Sequence, residues 1–145
     1  MRNGYRAGLA VSAAAAGVLM VTGTAGATPP GSGVTGTIIA QQTINGRDYI
    51  LRDITIPAHQ ATGWHYHDGM LYGIVKQGTL SHFDATCKSD GVYRAGSTII
   101  EPSGKKHVHI GRNLGDTPVV LEVLYVLPHG SPLSEDAPNP GCPFQ

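Results

Sequence analysis

From Thr37 to Leu127 the apolar residues come in short runs, and none sustains the 3.6-residue period of a helix. Segment 48–56 alternates well. Tyr49, Leu51, Asp53 and Thr55 fall on one side, and Ile50, Arg52, Ile54 and Ile56 on the other. Read this way, the chain predicts strands over Thr37–Gln42, Asp48–Ile56, Gly63–Tyr66, Leu71–Val75, Thr79–Asp84, Val92–Ala95, Ser97–Glu101, Val108–Arg112 and Val119–Leu127. Turn signals separate them at Asn45-Gly46, Pro57, Asp68-Gly69, Gln77-Gly78, Asp90-Gly91, Ala95-Gly96, Ser103-Gly104 and Leu114-Gly115-Asp116. Many short strands with Gly-rich corners predict an all-β single domain, a sandwich or a barrel.

The N-terminus follows another pattern. Arg2 and Arg6 precede an apolar, alanine-rich stretch from Ala7 to Val21, and Ala25-Gly26-Ala27 offers a small-x-small cleavage site. This is the layout of a secretory signal peptide over residues 1–27. Its apolar core is short for a membrane span, which needs about 20 residues. Residues 28–36, rich in Pro, Gly and Thr, read as a flexible lead-in, residues 37–130 as the barrel, and residues 131–145 as a C-terminal tail. After cleavage about 118 residues remain, enough for one small domain. The expected location is secreted or extracytoplasmic, with no stable membrane span once the signal is removed.

Charge narrows the partners. Ten Lys and Arg balance ten Asp and Glu, and no basic cluster exceeds Lys105-Lys106, so a nucleic-acid-binding face is not expected. The two cysteines, Cys87 and Cys142, form an even count, which in an exported protein favours a disulfide. Such a bridge would pin the irregular tail and, by loop entropy, contribute about 4 kcal/mol less any strain.

The chemistry gathers at histidine. The chain has 7, and four of them lie in His65-Tyr66-His67 and His107-Val108-His109. Residues i and i+2 of a strand share a face, so each pair presents two imidazoles to one side. Two such pairs are suited to one metal ion. His59, in a Pro57-Ala58-His59 loop, is expected in solvent, His82 on the barrel surface or at its mouth, and His129 at the domain's end. Glu101 and Glu122 are candidates to support the metal ligands or act as a general base, with strand carboxylates facing water as the preferred expectation. Trp64, Tyr66, Met70, Tyr72 and Phe83 flank the histidines. Those that turn inward would line an aromatic cavity, while strand alternation sends Trp64 and Tyr66 outward, to the surface or a dimer contact.

From Ile50 to Val126 the chain resembles the cupins, small jelly-roll β-barrels that hold a metal among inward-facing strands. Their first motif sets His-x-His after a Gly, then a Glu three or four residues on, then a Gly. This chain has His65-Tyr66-His67, Leu71 in the Glu position, and Gly78. The second motif matches at Gly96, Pro102-Ser103-Gly104 and His107 when read forward, or at His109 when read backward from Asn113. Either histidine, or both, would then complete the site.

Leu71 cannot ligate, and Asp68, one step from His67, faces the other side. The resemblance therefore implies an all-His metal site with open positions, built from His65, His67, His107 and His109. It would take a divalent transition metal (Fe, Zn, Cu, Mn or Ni) rather than Mg or Ca. Such a site is similar to that of the thiol dioxygenases. Two functional classes follow: a metal-dependent oxygenase or isomerase acting on a small organic molecule, or a non-catalytic cupin binding a metal or small ligand. The resemblance also implies a homodimer paired through its sheets.

Overall fold

A computed structural model describes residues 27–145, so the predicted signal segment lies outside the described residues, apart from Ala27. The strands are β1 (Thr35–Ile44), β2 (Arg47–Ile56), β3 (His65–Tyr66), β4 (Met70–Gln77), β5 (Thr79–Asp84), β6 (Ser89–Arg94), β7 (Thr98–Glu101), β8 (His109–Arg112), β9 (Val119–Pro128) and β10 (Glu135–Asp136). They form two antiparallel five-stranded sheets, ordered β1-β2-β9-β4-β7 and β10-β3-β8-β5-β6. All nine predicted strands are present, with no end moved by more than three residues. Two elements were not predicted: a 3₁₀ turn at Lys105–His107 and strand β10. Among the described residues no helix is long and apolar enough to cross a membrane.

The core follows from alternation. In β9, Val119, Leu121, Val123, Tyr125 and Leu127 are buried while the residues between them are partly exposed. They pack with Ile56, Leu71, Val75, Leu80 and Ile99 between the sheets. Asn45-Gly46, both at positive φ, closes the β1–β2 hairpin, a turn whose twist matches that of its strands. Near that end Asp48 accepts hydrogen bonds from the Thr43 hydroxyl (2.6 Å), the Gly130 amide (2.9 Å) and His129 Nδ1 (2.8 Å).

A second, smaller core joins Ala61, Trp64, Ile110, Ala137 and Cys142 beneath the tail. Cys87 and Cys142 are disulfide-bonded. Phe144 stacks on Trp64 with ring centroids 6.0 Å apart, and the Arg112 guanidinium lies 4.5 Å over the Phe144 ring. The lead-in is tied down rather than loose. Thr28 is buried, donates its amide to Ala137 O (3.0 Å) and accepts the Trp64 amide on its hydroxyl (2.6 Å). Its Pro-Gly composition conceals these anchors because they come from residues far along the chain.

Asn113 closes the loop after β8. Its side-chain amide donates to the carbonyls of Ile56, Pro57 and Thr117, and its Oδ1 accepts the Gly115 amide. Removing this buried amide leaves carbonyls unsatisfied, so Asn113→Ala is expected to cost about 2–3 kcal/mol. Urea unfolding would show a lower midpoint at unchanged m-value; a loss below about 0.5 kcal/mol would mean the loop holds itself. At the opposite end, the three donors to Asp48 hold its carboxyl down at about 2, with Thr43 the largest contributor. A depressed carboxyl stabilises the fold above its unfolded pKa and loses that contribution as pH falls through the folded one. Asp48→Asn should therefore flatten the acid limb of the stability curve between about pH 4 and pH 2; an unchanged limb would assign it to other carboxyls.

Candidate metal centre

β3 and β8 are neighbours, and His65 lies directly opposite His109 in their ladder. Gly63, at φ 78, turns the chain into β3 where a Cβ would collide with the Thr28 carbonyl. His67 follows β3 and points inward, 2% exposed. The ring centroids of His65, His67 and His109 are 4.4–5.2 Å apart. One ligand nitrogen from each lies within 4.8 Å of the others.

His107 is not with them. The 3₁₀ turn breaks the strand before β8, so His107 and His109 do not share a face, and the His107 side chain is exposed. The expectation of a four-histidine cluster containing His107 is corrected accordingly. His107 contributes its backbone carbonyl instead, which accepts His109 Nδ1–H at 2.7 Å.

Two residues that sequence reasoning left outside complete the cluster. His82 on β5 is buried, with its ring centroid 4.8 Å from that of His109. Glu101 on β7 was expected to face water, yet its side chain is only 16% exposed. Its Oε2 lies 3.2 Å from His67 Nε2 and 3.5 Å from His109 Nε2, and its Oε1 lies 3.6 Å from His82 Nε2. The cause is the sheet register. Glu101 pairs with Leu71 between β7 and β4, and directly opposed residues share a face. Where the family motif places a carboxylate, this chain has Leu71, and the carboxylate enters from the strand beside it. The site is therefore not all-imidazole. Strand parity with Leu80 places His82 inside, and parity with Ile99 places Glu101 beside it, but only the structure shows which of Ile99 and Ile100 is the buried one.

Hydrogen bonding fixes which face each imidazole presents. The Nδ1 atoms of His65, His67 and His109 lie 2.8, 2.7 and 2.7 Å from the carbonyls of Gly63, Leu133 and His107. A carbonyl only accepts, so each Nδ1 carries a proton, and a ring that is neutral turns its Nε2 lone pair inward. His82 Nδ1 is held in the same way by Asp90 Oδ1, at 2.6 Å. The Nε2 atoms of His67, His82 and His109 are buried and have no hydrogen-bond partner among the described residues.

Titration divides the rings: burial alone would lower His82, but Glu101 and Asp90 outweigh it and raise the group, favouring its imidazolium. Burial, reinforced by His109 and His67, lowers His65 to about 3, so it stays neutral. Burial alone would raise the Glu101 carboxyl, but His109, His67 and His82 outweigh it and hold the group well below the ordinary carboxylate range. A buried carboxylate and three imidazole Nε2 atoms thus converge, and only a positive charge shared among them, a proton or a metal ion, satisfies the group. A cation answers that arrangement. Donors sharing a first-row ion at about 2.0–2.2 Å stand about 3.0–3.5 Å apart, which is the Glu101–His67 and Glu101–His109 spacing. The residues present fit a divalent transition metal.

Space around the cluster is unequal. Inside the barrel, beside His65, His67 and Tyr125, a cavity of about 40 Å³ remains, room for a few waters. On the other side a pocket of about 320 Å³ reaches the surface past His82, Asp90, Tyr93, Glu101, Lys106 and His107. The expected aromatic cavity is absent among the described residues. Tyr72 is exposed on the outer face, Phe83 packs against Phe144, and Trp64 is fully buried under the tail. Trp64 does turn away from the histidines, but the tail covers it, so it offers no surface or dimer contact. His59 is exposed and pairs with Asp116, His129 is exposed and pairs with Asp48, and Glu122 pairs with Lys76 across the outer face.

No protein-family model matches this sequence, and no curated protein does. Solved structures do. An uncharacterised double-stranded β-helix protein from Klebsiella pneumoniae superposes with a TM-score of 0.56 at 18% identity, covering 72% of this chain and 84% of that one. The polyketide cyclase RemF from Streptomyces resistomycificus gives 0.59 at 17% identity, covering 77% and 78%. A cupin 2 conserved barrel domain protein from Salinispora arenicola gives 0.52 at 12% identity, covering 63% and 74%. The chain has the cupin fold, a jelly-roll barrel of the double-stranded β-helix type. At these identities the fold is what is shared.

If the carboxylate has moved across the ladder, it can be moved back. Glu101→Leu should weaken Zn(II) binding at least tenfold, and Leu71→Glu added to it should recover most of the loss, as measured by chelator competition. A double variant no better than Glu101→Leu would show that the two positions are not equivalent.

Proposed function

We propose that this is an exported cupin-fold protein holding one divalent transition metal through His65, His67, His109 and Glu101, and acting as an oxygenase or isomerase on a small organic molecule. The observation that carries the reading is the convergence of buried, unpartnered Nε2 atoms on the Glu101 carboxylate with every Nδ1 already committed. Uncompensated, such a cluster would cost stability. Fe, Zn, Cu, Mn and Ni all accept imidazole and carboxylate donors; Mg and Ca prefer oxygen. Bound there, the ion would supply a Lewis-acid or redox centre with positions left for a ligand.

The chain's own residues assign the approach. The barrel interior is filled by Leu71, Leu121, Val123 and Tyr125, so an organic ligand enters from the 320 Å³ pocket. There it meets His82 and Asp90, which are paired with each other, and Lys106 at the rim. With Glu101 in the donor set, the likeness to an all-His thiol dioxygenase site no longer guides the substrate. Export is supported by the N-terminal pattern and by the disulfide, which persists in oxidising compartments. A homodimer is part of the reading, supported by Tyr72, Ile74 and Ile100, which expose apolar surface on the outer face of the first sheet.

The test is metal analysis of protein purified from its native compartment. Wild type should carry one transition-metal ion per chain. His65→Ala combined with His67→Ala should carry none, and His107→Ala should match wild type. Equal metal content in wild type and the double variant would overturn the site. Oxygen uptake or product formation in a substrate screen would favour the enzyme, and a bound ligand without turnover would favour a binding module.

A further inference from the structure

We propose that the C-terminal tail is a positioning element of the metal centre and that the Cys87–Cys142 disulfide holds it in place. The inference rests on the metal-binding reading above and extends it to residues that never touch the ion. Strand β3, which presents His65, is two residues long and is secured on one side by a single residue pair with β8, His65 opposite His109. On its other side its strand partner among the described residues is β10, where Asp136 lies opposite His65 and Glu135 opposite Tyr66. The Ala137 amide adds a hydrogen bond to Trp64 O at 2.8 Å.

The tail also reaches the site directly. The Leu133 carbonyl accepts His67 Nδ1–H at 2.7 Å and so keeps the His67 Nε2 lone pair inward. Without that acceptor the proton is free to sit on Nε2, where it blocks the donor. Beyond β10 the tail has no regular structure. Its fixed points are Ala137, the Asn139 turn that accepts the Gly141 and Cys142 amides, Phe144 on Trp64, and the bond to Cys87 in the turn after β5. Reduction by a dithiol opens that bond. Two electrons and two protons pass to the cysteines, and the dithiol becomes a disulfide. The segment carrying the Leu133 carbonyl then keeps only its weaker contacts.

The experiment compares Zn(II) affinity, by chelator competition, of the full-length mature protein in four forms: oxidised; reduced by dithiothreitol and desalted without air; reoxidised; and carrying Cys87→Ser with Cys142→Ser. All are measured below the unfolding transition of the weakest form. The reduced and serine forms should bind about 10- to 100-fold more weakly, and reoxidation should restore affinity. Ring ¹⁵N shifts of metal-free protein should place the His67 proton on Nδ1 when oxidised and on both nitrogens in the serine form. Emission from Trp64, the single tryptophan, reports whether the tail has lifted. A lifted tail with unchanged affinity and an unchanged His67 tautomer would overturn the proposal, as would a tail that stays down on reduction. Oxidised wild type that binds no Zn(II), while the His67 proton still shifts between forms, would overturn the metal reading instead.

Discussion

Hydrogen-bond direction is the constraint on which the site depends. Four imidazoles direct their Nδ1–H to acceptors outside the cluster, three to main-chain carbonyls and one to Asp90. None has a proton left for the interior while it stays neutral. The Nε2 atoms of His67, His82 and His109 then face the acceptor Glu101 without a proton to offer it unless a ring takes up a second one. Buried acceptors facing one another are costly. The arrangement makes physical sense around a cation, and each outer hydrogen bond orients a ring for that cation.

The jelly roll supplies the orientation through strand pairing. β3 and β8 bring His65 against His109, β5 adds His82, and the β4–β7 ladder carries Glu101 to the face that Leu71 occupies. Leu71 and Glu101 divide between two strands what a single strand does in the family motif, one filling the core and the other supplying charge. Such an exchange costs the fold little, because opposed residues in a ladder reach the same space. It also moves the charged group to the wall of the 320 Å³ pocket, between the histidines and the surface.

His65, His67 and His109 were legible because strand periodicity and motif spacing are both local. The choice between His107 and His109 was not, since it turns on a 3₁₀ turn entered at Gly104, φ 103, that has no periodic signature. Glu101 was hidden by its neighbours. Ile99 and Ile100 are chemically identical, so parity along β7 had no sequence marker, although one is buried and the other 61% exposed. The register that sets Glu101 against Leu71 joins segments far apart in the chain. β10 is Glu-Asp, residues with no preference for strands, and it forms only because β3 offers an edge. Trp64 was correctly read as turning away from the histidines, but Ala137, Cys142 and Phe144, which bury it, come from the distant tail. No local pattern around Trp64 announces them.

Metal coordination by His65, His67, His109 and Glu101 is the central claim, and a crystal of protein soaked with Zn(II) tests it most directly through anomalous scattering at the zinc edge. The account predicts one peak within about 2.3 Å of the three Nε2 atoms and one Glu101 carboxylate oxygen. It is contradicted by a peak bound through any Nδ1 atom of these histidines, by a peak elsewhere on the chain, or by a cluster that binds no zinc while the barrel stays intact.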